Sequence, residues 1–417
     1  MTISNFNEST KITETTINVV KDIFNTHLNA ETHQLYSWGS VGRREMGPRS
    51  DLDLIIISKN PDLQAITRFK QSVNKALPNH RLDLLETYSP DELVRIGKID
   101  GTDRQAILFF RNELKKNSGI DFDKEIKKDI YQNLREMFHS LSNIEFIYPV
   151  LFKKGNLKFS PGYLKNFHFI YLVANFLNNY KGIKDTNDAL NYFQKKGFFS
   201  KKRMKKANAD FATLCYCRNQ IQEITSSENA CVDSFVLTRL AINLNMTTSK
   251  VRKYLKNIRL RTLSLFQDCK KILLKQSRTI LPKSEYILIK KLLAQKKITS
   301  LKLINKIVSS GSEISMILLA YVAKESDILE KLRKIAPDNW YILYAIANNR
   351  NSSEQTLIRL MVPEKTQKYL LADLYTDFAW RNIYLYIAKN PSSTYKIRKC
   401  IMNYPKAREM DIKAAMR

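Results

Sequence analysis

Apolar residues over roughly the first 115 positions follow two different rhythms. Gln34–Trp38, Leu52–Ile57 and Arg81–Glu86 are short runs that read as β-strands, while Asp62–Leu77 spaces its apolar residues at a helical period. Asp62 is placed to cap that helix and Pro78 to follow its end. The pattern predicts a small mixed α/β domain over residues 1–115. From 116 to 285 the period is helical throughout, without strand signals. The last zone, 286–417, contains a repeat: Ala345–Ser353 and Tyr386–Thr394 share Ile-Ala-x-Asn, and each precedes an amphipathic stretch, Leu357–Met361 and Ile397–Met402. Tyr321–Asp327 is a weaker copy, and the longer gap between Ala347 and Ala388 implies an insertion. Single pairs of short helices cannot bury their apolar faces alone, so they stack. The expected class is therefore α+β: a small mixed-sheet domain, a helical domain, and a C-terminal α-solenoid-like region suited to protein docking.

Composition adds a charge. The chain has 417 residues, room for two or three domains, and its 44% hydrophobic and 10% aromatic content fits a folded protein. Lys and Arg number 69 against 40 Asp and Glu, a net charge of +29. Such a surface attracts polyanions, although a genome that favours Lys, Asn and Ile would give the same excess. Five cysteines in so long a chain do not make a disulfide framework. The polar N-terminus has no signal-peptide core, and the longest apolar run, Ile314–Ala323, is too short to cross a bilayer. A cytoplasmic protein without a transmembrane segment is expected, with delivery into a host cell left open.

The chemistry concentrates in one segment. Glycine is scarce, 11 in all, yet Gly39, Gly42 and Gly47 fall within nine residues. A strand running into Gly39-Ser40 leaves bare backbone N–H groups where a phosphate can approach. Ser40 adds a hydroxyl, and Arg43 or Arg44 adds charge. Asp51 and Asp53 then open the apolar run Leu54–Ile57, and alternation puts both carboxylates on one face. Two carboxylates that close call for a cation, and Mg2+ prefers oxygen ligands shared with substrate phosphates. Asp83, in a later strand, would complete a two-metal site; Glu86 falls on the opposite face.

Gly39-Ser40-Val41-Gly42-Arg43-Arg44-Glu45 followed by Ser50-Asp51-Leu52-Asp53 resembles the nucleotidyltransferase motif shared by DNA polymerase β, kanamycin nucleotidyltransferase and the CCA-adding enzymes. Within that superfamily it is most similar to the bacterial PII-uridylyltransferases. Ser160-Pro161-Gly162-Tyr163-Leu164-Lys165-Asn166-Phe167 resembles their Gly-Pro-Gly-Gly-Leu-Arg-Asp-Ile, with Tyr163, Lys165 and Asn166 in place of Gly, Arg and Asp. Gly197–Ser200 and Leu214–Ile221 resemble a further helical segment, so the match covers roughly residues 30–270. The C-terminal units resemble the bacterial leucine-rich-repeat variant. The resemblance implies transfer of a nucleoside monophosphate from a triphosphate, UTP or ATP, to a hydroxyl on a macromolecule. Gly39, Ser40, Ser50 and Arg43 or Arg44 would bind the nucleotide. Asp51, Asp53 and Asp83 would hold two Mg2+ ions, or Mn2+ in their place, and Asp83 would orient or deprotonate the acceptor. Five histidines, none paired with an adjacent Asp, leave out the His-Asp hydrolase of the full family enzymes, and the glutamine-sensing domains are missing too.

The resemblance favours a protein acceptor, by uridylylation or adenylylation; the charge favours RNA. A non-catalytic nucleotide-binding scaffold that docks partners on its repeats is a third expectation. Two decoys are set aside. Lys201–Lys206 reads as the solvated face of a helix rather than a phosphate patch. Leu237–Lys253 has helix-turn-helix spacing, but the helical segment of the uridylyltransferases reads similarly without binding DNA.

Overall fold

Leu54-Ile55-Ile56-Ile57-Ser58 is buried along its whole length, which places it at the centre of a sheet rather than at an edge. The computed structural model describes residues 6–80, 82, 85–97, 130–151, 155–227, 230–294, 301–337, 339–361, 383–384 and 386–403. In chain order its elements begin with α1 (Phe6–His27), β1 (His33–Ser37), α2 (Gly39–Gly42), β2 (Leu54–Ser58), α3 (Leu63–Ala76), β3 (Leu85–Tyr88) and α4 (Pro90–Gly97). The helices α5 (Ile130–Ser142), α6 (Tyr148–Leu151), α7 (Leu164–Leu177), α8 (Thr186–Lys195), α9 (Lys201–Thr225), α10 (Ser234–Asn243) and α11 (Thr248–Ser277) follow. The chain continues with α12 (Lys283–Ala294), α13 (Leu301–Ser310), α14 (Glu313–Val322), α15 (Ser326–Ile335), α16 (Trp340–Asn348), α17 (Glu354–Met361) and α18 (Tyr395–Met402). Mostly helical with one small mixed sheet, the architecture is compatible with the α+β class. Two compact units divide the chain: Met1–Asn133 with Phe152–Leu273, and Leu134–Leu151 with Leu274–Arg417.

In the first unit β1 runs antiparallel to β2, with Ser37 opposite Leu54, and β3 runs parallel to β2, with Leu54 opposite Leu85. The Trp38 N–H donates to the Asp53 carbonyl at 3.0 Å, which carries the pairing one step beyond the strands. Asp62 caps α3 as its position in the sequence predicts, accepting from the N–H groups of Gln64 and Ala65 at 3.0 and 2.9 Å. The apolar stripe of α3 packs on α1, where the Phe24 and Phe69 rings meet edge-to-face at 5.9 Å. Leu52, Leu54 and Ile56 enter the same core. Phe69 is fully buried there, and its removal to Ala would cost about 3–5 kcal/mol. Alternation along the chain sends Asp51 and Asp53 to the opposite side from this core.

The second unit pairs short helices: α14 with α15, then α16 with α17, then residues 386–389 with α18. Its Ile-Ala-x-Asn pattern has a physical basis. The Asn349 amide donates to the carbonyls of Ala320 and Ala323, both at 2.8 Å, in the preceding pair. One repeat later the Asn390 amide does the same to Ala347 and Asn349, at 2.8 and 2.9 Å. Each asparagine thus satisfies the orphan carbonyls at the end of the previous helix. In the weaker copy Glu325 occupies the corresponding position. The stretch in which the sequence places an insertion, 362–382, lies outside the described residues.

Candidate functional site

Gly39 occupies the left-handed region, φ +59°, at the point where β1 turns into α2. A Cβ built there would fall 1.8 Å from Asp53 Oδ2, so glycine is the residue that lets backbone and carboxylate come together. Past it, the Gly42 and Arg43 N–H groups donate to the carbonyls of Trp38 and Gly39. The N–H groups of Gly39, Ser40 and Val41 and the Ser40 hydroxyl have no hydrogen-bond partner among the described residues. Among the described residues, four donors are therefore free beside the carboxylate.

Arg43 and Arg44 part company. Arg43 turns inward, donates to Glu45 at 2.9 Å and lies over the Tyr171 ring at 5.6 Å. Burial works against its charge, but Glu45 and Tyr171 more than offset that and keep the guanidinium protonated. The other carboxylate oxygen of Glu45 accepts from the Thr186 N–H at the start of α8, 3.1 Å away, so the motif is tied to the helices behind it. Arg44, at φ +57°, is exposed, with a 3.7 Å contact to Glu14 that contributes little. Ser50 closes the following turn, its hydroxyl accepting from the Gly47 N–H at 2.7 Å and its carbonyl bonded to His80. Gly47 itself lies against α9, where a Cβ would meet Gln222 Oε1 at 2.3 Å.

Asp51 and Asp53 are half-buried neighbours. Burial first, and then the charge of Asp51, push the Asp53 carboxyl above its usual range; Lys158, Arg43 and Lys165 pull it back. Two of these cations come from far along the chain. The Asn156 side chain accepts from the N–H groups of Lys158 and Phe159 at 2.9 and 3.0 Å, and Asn166 accepts from the Gly162 N–H at 2.7 Å. The Lys165 N–H then donates to the Lys158 carbonyl at 2.9 Å, which fixes the two lysines as neighbours at the start of α7. Asn166, standing where the resembling segment has Asp, thus shapes the loop. Burial pushes Lys165 down to about 7, helped by the like charges of Lys158 and Arg43, with Asp53 pulling the other way. Buried in the same field, His168 is held well below its ordinary value.

Sequence reasoning passed over Lys158 and quoted Lys165 only within a resemblance. In a chain with this many lysines, the signal lay in the spacing of Asn156 and Asn166 around a Gly-containing turn. Asp83 lies outside the described residues, as does the side chain of Glu86. Among the described residues no group of three or more His, Cys, Asp or Glu side chains gathers as a metal site. The Asp51–Asp53 pair still fits Mg2+, which usually takes one or two carboxylates and completes its shell with water and substrate phosphate.

In the basic run Lys201, Lys202, Lys205 and Lys206 are exposed, Met204 is buried, and Arg203 pairs with Asp268 at 2.8 Å. A cavity of about 110 Å³ lies beside Phe167, Lys206 and Arg261, but Asp210 already holds Arg261 through two 2.7 Å bonds. Leu237–Lys253 forms α10, a short turn and the start of α11, with Leu237, Leu240 and Val251 buried. No helix among the described residues is long and apolar enough to cross a membrane. No model of a known protein family matches the chain, and a search of curated proteins returns no match.

Proposed function

We propose that this protein is a metal-dependent nucleotidyltransferase that moves a nucleoside monophosphate from a triphosphate to a hydroxyl on a macromolecular acceptor. One observation carries the reading: a pair of adjacent carboxylates, Asp51 and Asp53, stands against a glycine turn in which the N–H groups of Gly39, Ser40 and Val41 and the Ser40 hydroxyl have no partner among the described residues. Carboxylates crowded against each other cost stability and are useful where a cation binds. Free backbone donors beside them suit phosphate oxygens.

In this reading Gly39, Ser40 and Val41 donate to phosphate oxygens, and Asp51 and Asp53 hold Mg2+. Asp83 is the third carboxylate, for orienting or deprotonating the acceptor hydroxyl. Bound magnesium would supply charge neutralisation at the reacting phosphate. Arg43, fixed by Glu45 and Tyr171, adds a positive field without moving. Such a site works by positioning and by preorganised charge, with pyrophosphate as the leaving group. The helical repeats offer a docking surface, and a protein side chain is the acceptor this reading favours.

A panel of labelled nucleoside triphosphates with Mg2+, followed for incorporation into proteins and into RNA, tests it. Transfer by the wild type that is lost in the Asp51→Ala/Asp53→Ala double variant supports the proposal; a folded double variant that still transfers label ends it. Nucleotide binding without incorporation favours the scaffold. The net charge of +29 is the reason to keep RNA in the panel. An RNA acceptor predicts affinity that falls steeply and linearly in log salt, which a protein acceptor does not.

A further inference from the structure

We infer that the cavity between α7, α9 and α11 binds a small aliphatic carboxylic acid, with its chain on Phe167 and its carboxylate at Lys206 and the Thr262 hydroxyl. The site uses no residue of the Gly39–Asp53 turn and is independent of the nucleotidyltransferase reading. The cavity measures about 110 Å³. Its floor is apolar: Phe167, Ala207 and Leu265 are buried there, and the Phe211 ring packs on Phe167 with centroids 5.2 Å apart. An apolar cavity of about 150 Å³ takes benzene, so this floor takes a chain of about four carbons. One wall is polar. The Thr262 hydroxyl is buried, with the residue 2% exposed, and has no hydrogen-bond partner among the described residues. A threonine inside a helix ordinarily turns its hydroxyl back to the carbonyl four residues earlier, as Thr213 and Thr225 do in α9 at 2.8 Å each. Thr262 in α11 does not. Buried hydroxyls in folded proteins find partners, and a ligand carboxylate in this cavity is one.

Charge at the other end selects an anion. Arg261 takes both oxygens of the buried Asp210 at 2.7 Å, and Lys206 reaches the same carboxylate only at 3.8 Å. Asp268 is shared in the same way, by Arg203 at 2.8 Å and Lys271 at 2.9 Å. Among the described residues, four cations here answer to two carboxylates, and Lys206 is the one held most loosely. Its side chain is half-exposed, and those of Arg203 and Arg261 are partly so, which opens the cationic end to water. Lysine is a compact point charge on a flexible stem, able to turn from Asp210 to an entering carboxylate. A bare phosphate would leave the apolar floor hydrated, whereas an alkyl chain covers it. The opposite charge, an alkylamine, would meet Lys206 and Arg203 and be repelled.

The test is a ligand-observed NMR titration of the full chain with pentanoate, alongside acetate, inorganic phosphate and pentylamine. Pentanoate should bind at millimolar concentration, and the other three at least about tenfold more weakly, each lacking either the chain or the negative charge. Lys206→Ala should weaken pentanoate about tenfold, as loss of one charge-assisted contact does. Ala207→Met, which puts a side chain on the floor, should block it. Thr262→Val keeps the shape and removes the unpaired hydroxyl, so it should raise the melting temperature of the free protein while weakening pentanoate. These opposite signs separate a ligand contact from a packing defect. Lys206 lies at the surface, so its variant keeps the fold, and circular dichroism melting checks this for all three. A wild type that does not bind pentanoate at millimolar concentration overturns the inference. So does one that binds acetate or phosphate equally well, or folded Lys206→Ala and Thr262→Val variants that bind pentanoate like the wild type.

Discussion

Gly39 and Asp53 share one space: the backbone of the first and the carboxylate of the second lie so close that any side chain at 39 would displace Asp53 Oδ2. Gly39→Ala therefore carries two penalties. One is the left-handed φ, worth roughly 1 kcal/mol for a residue with a Cβ. The other is the clash, which moves either the turn or the carboxylate. The variant should melt several degrees below the wild type and lose nucleotide binding. Gly197→Ala is the control, since it has φ +71° but nothing within 4 Å of the new Cβ. It should show the conformational penalty alone and bind nucleotide normally; equal binding by both variants would sink the argument.

Asp53 is destabilising where it stands, and that has a measurable sign. Burial and Asp51 raise its carboxyl pKa in the folded protein, so the folded state favours the protonated form and loses stability as pH rises into the range where Asp53 ionises. At neutral pH in a chelator, Asp53→Asn should melt higher than the wild type by roughly 2–4 °C for each kcal/mol gained. Mg2+ should then raise the wild-type melting temperature and leave the variant nearly unchanged. A Mg2+ response that is the same in both would show that Asp53 does not ligate the ion.

The residues legible in the sequence were those constrained over a few positions. Gly39, Asp51 and Asp53 declare themselves because a turn and a two-residue alternation fix their geometry within fifteen residues, and Asp62 because a helix needs its cap next door. The strands were visible but displaced: β1 begins at His33 and β2 at Leu54, since pairing rather than hydrophobicity sets where a strand is counted from. Lys158 and Lys165 were not legible as site residues, because a turn more than a hundred residues away carries them to Asp53. Arg43 and Arg44 are adjacent and chemically alike, and only the Glu45–Tyr171 surroundings separate the half-buried one from the exposed one.

His139 in the second unit should make that unit acid-labile. Its Nε2 faces the Asn143 amide at 3.2 Å, its Nδ1 faces the Tyr321 hydroxyl at 3.2 Å, and that hydroxyl donates to Asn143 Oδ1 at 3.2 Å. The Asn143 amide can only donate, so Nε2 accepts and Nδ1 carries the proton: a closed ring that admits neutral imidazole alone. Tyr341 and Tyr344 pack edge-on against it, and Arg135 opposes a second charge. Burial, aided by Arg135, takes the pKa down to about 3. The unfolded chain then binds the proton more readily, so stability is complete above about pH 6.5 and falls by about 1.4 kcal/mol per unit below it. Denaturant unfolding between pH 7 and 5 should show this slope. His139→Asn should be less stable at pH 7 but flatter with pH; an unchanged slope would refute the assignment.

Asn349 and Asn390 should be worth far more than their size. Each is buried and satisfies two carbonyls of the preceding helix pair, so alanine removes the donor and leaves those acceptors without water. An abandoned buried polar group costs about 1–3 kcal/mol, and here two are abandoned at once. The two positions are linked, because the carbonyl of Asn349 itself accepts from Asn390. The effects of Asn349→Ala and Asn390→Ala should therefore fail to add, with the double variant losing less than the sum of the singles. Limited proteolysis and melting would report the loss. Nucleotide binding, which we propose for the first unit, should stay at the wild-type level in all three. Additive losses would mean that each asparagine acts within its own pair, and that the repeats are not coupled through this chain of amides.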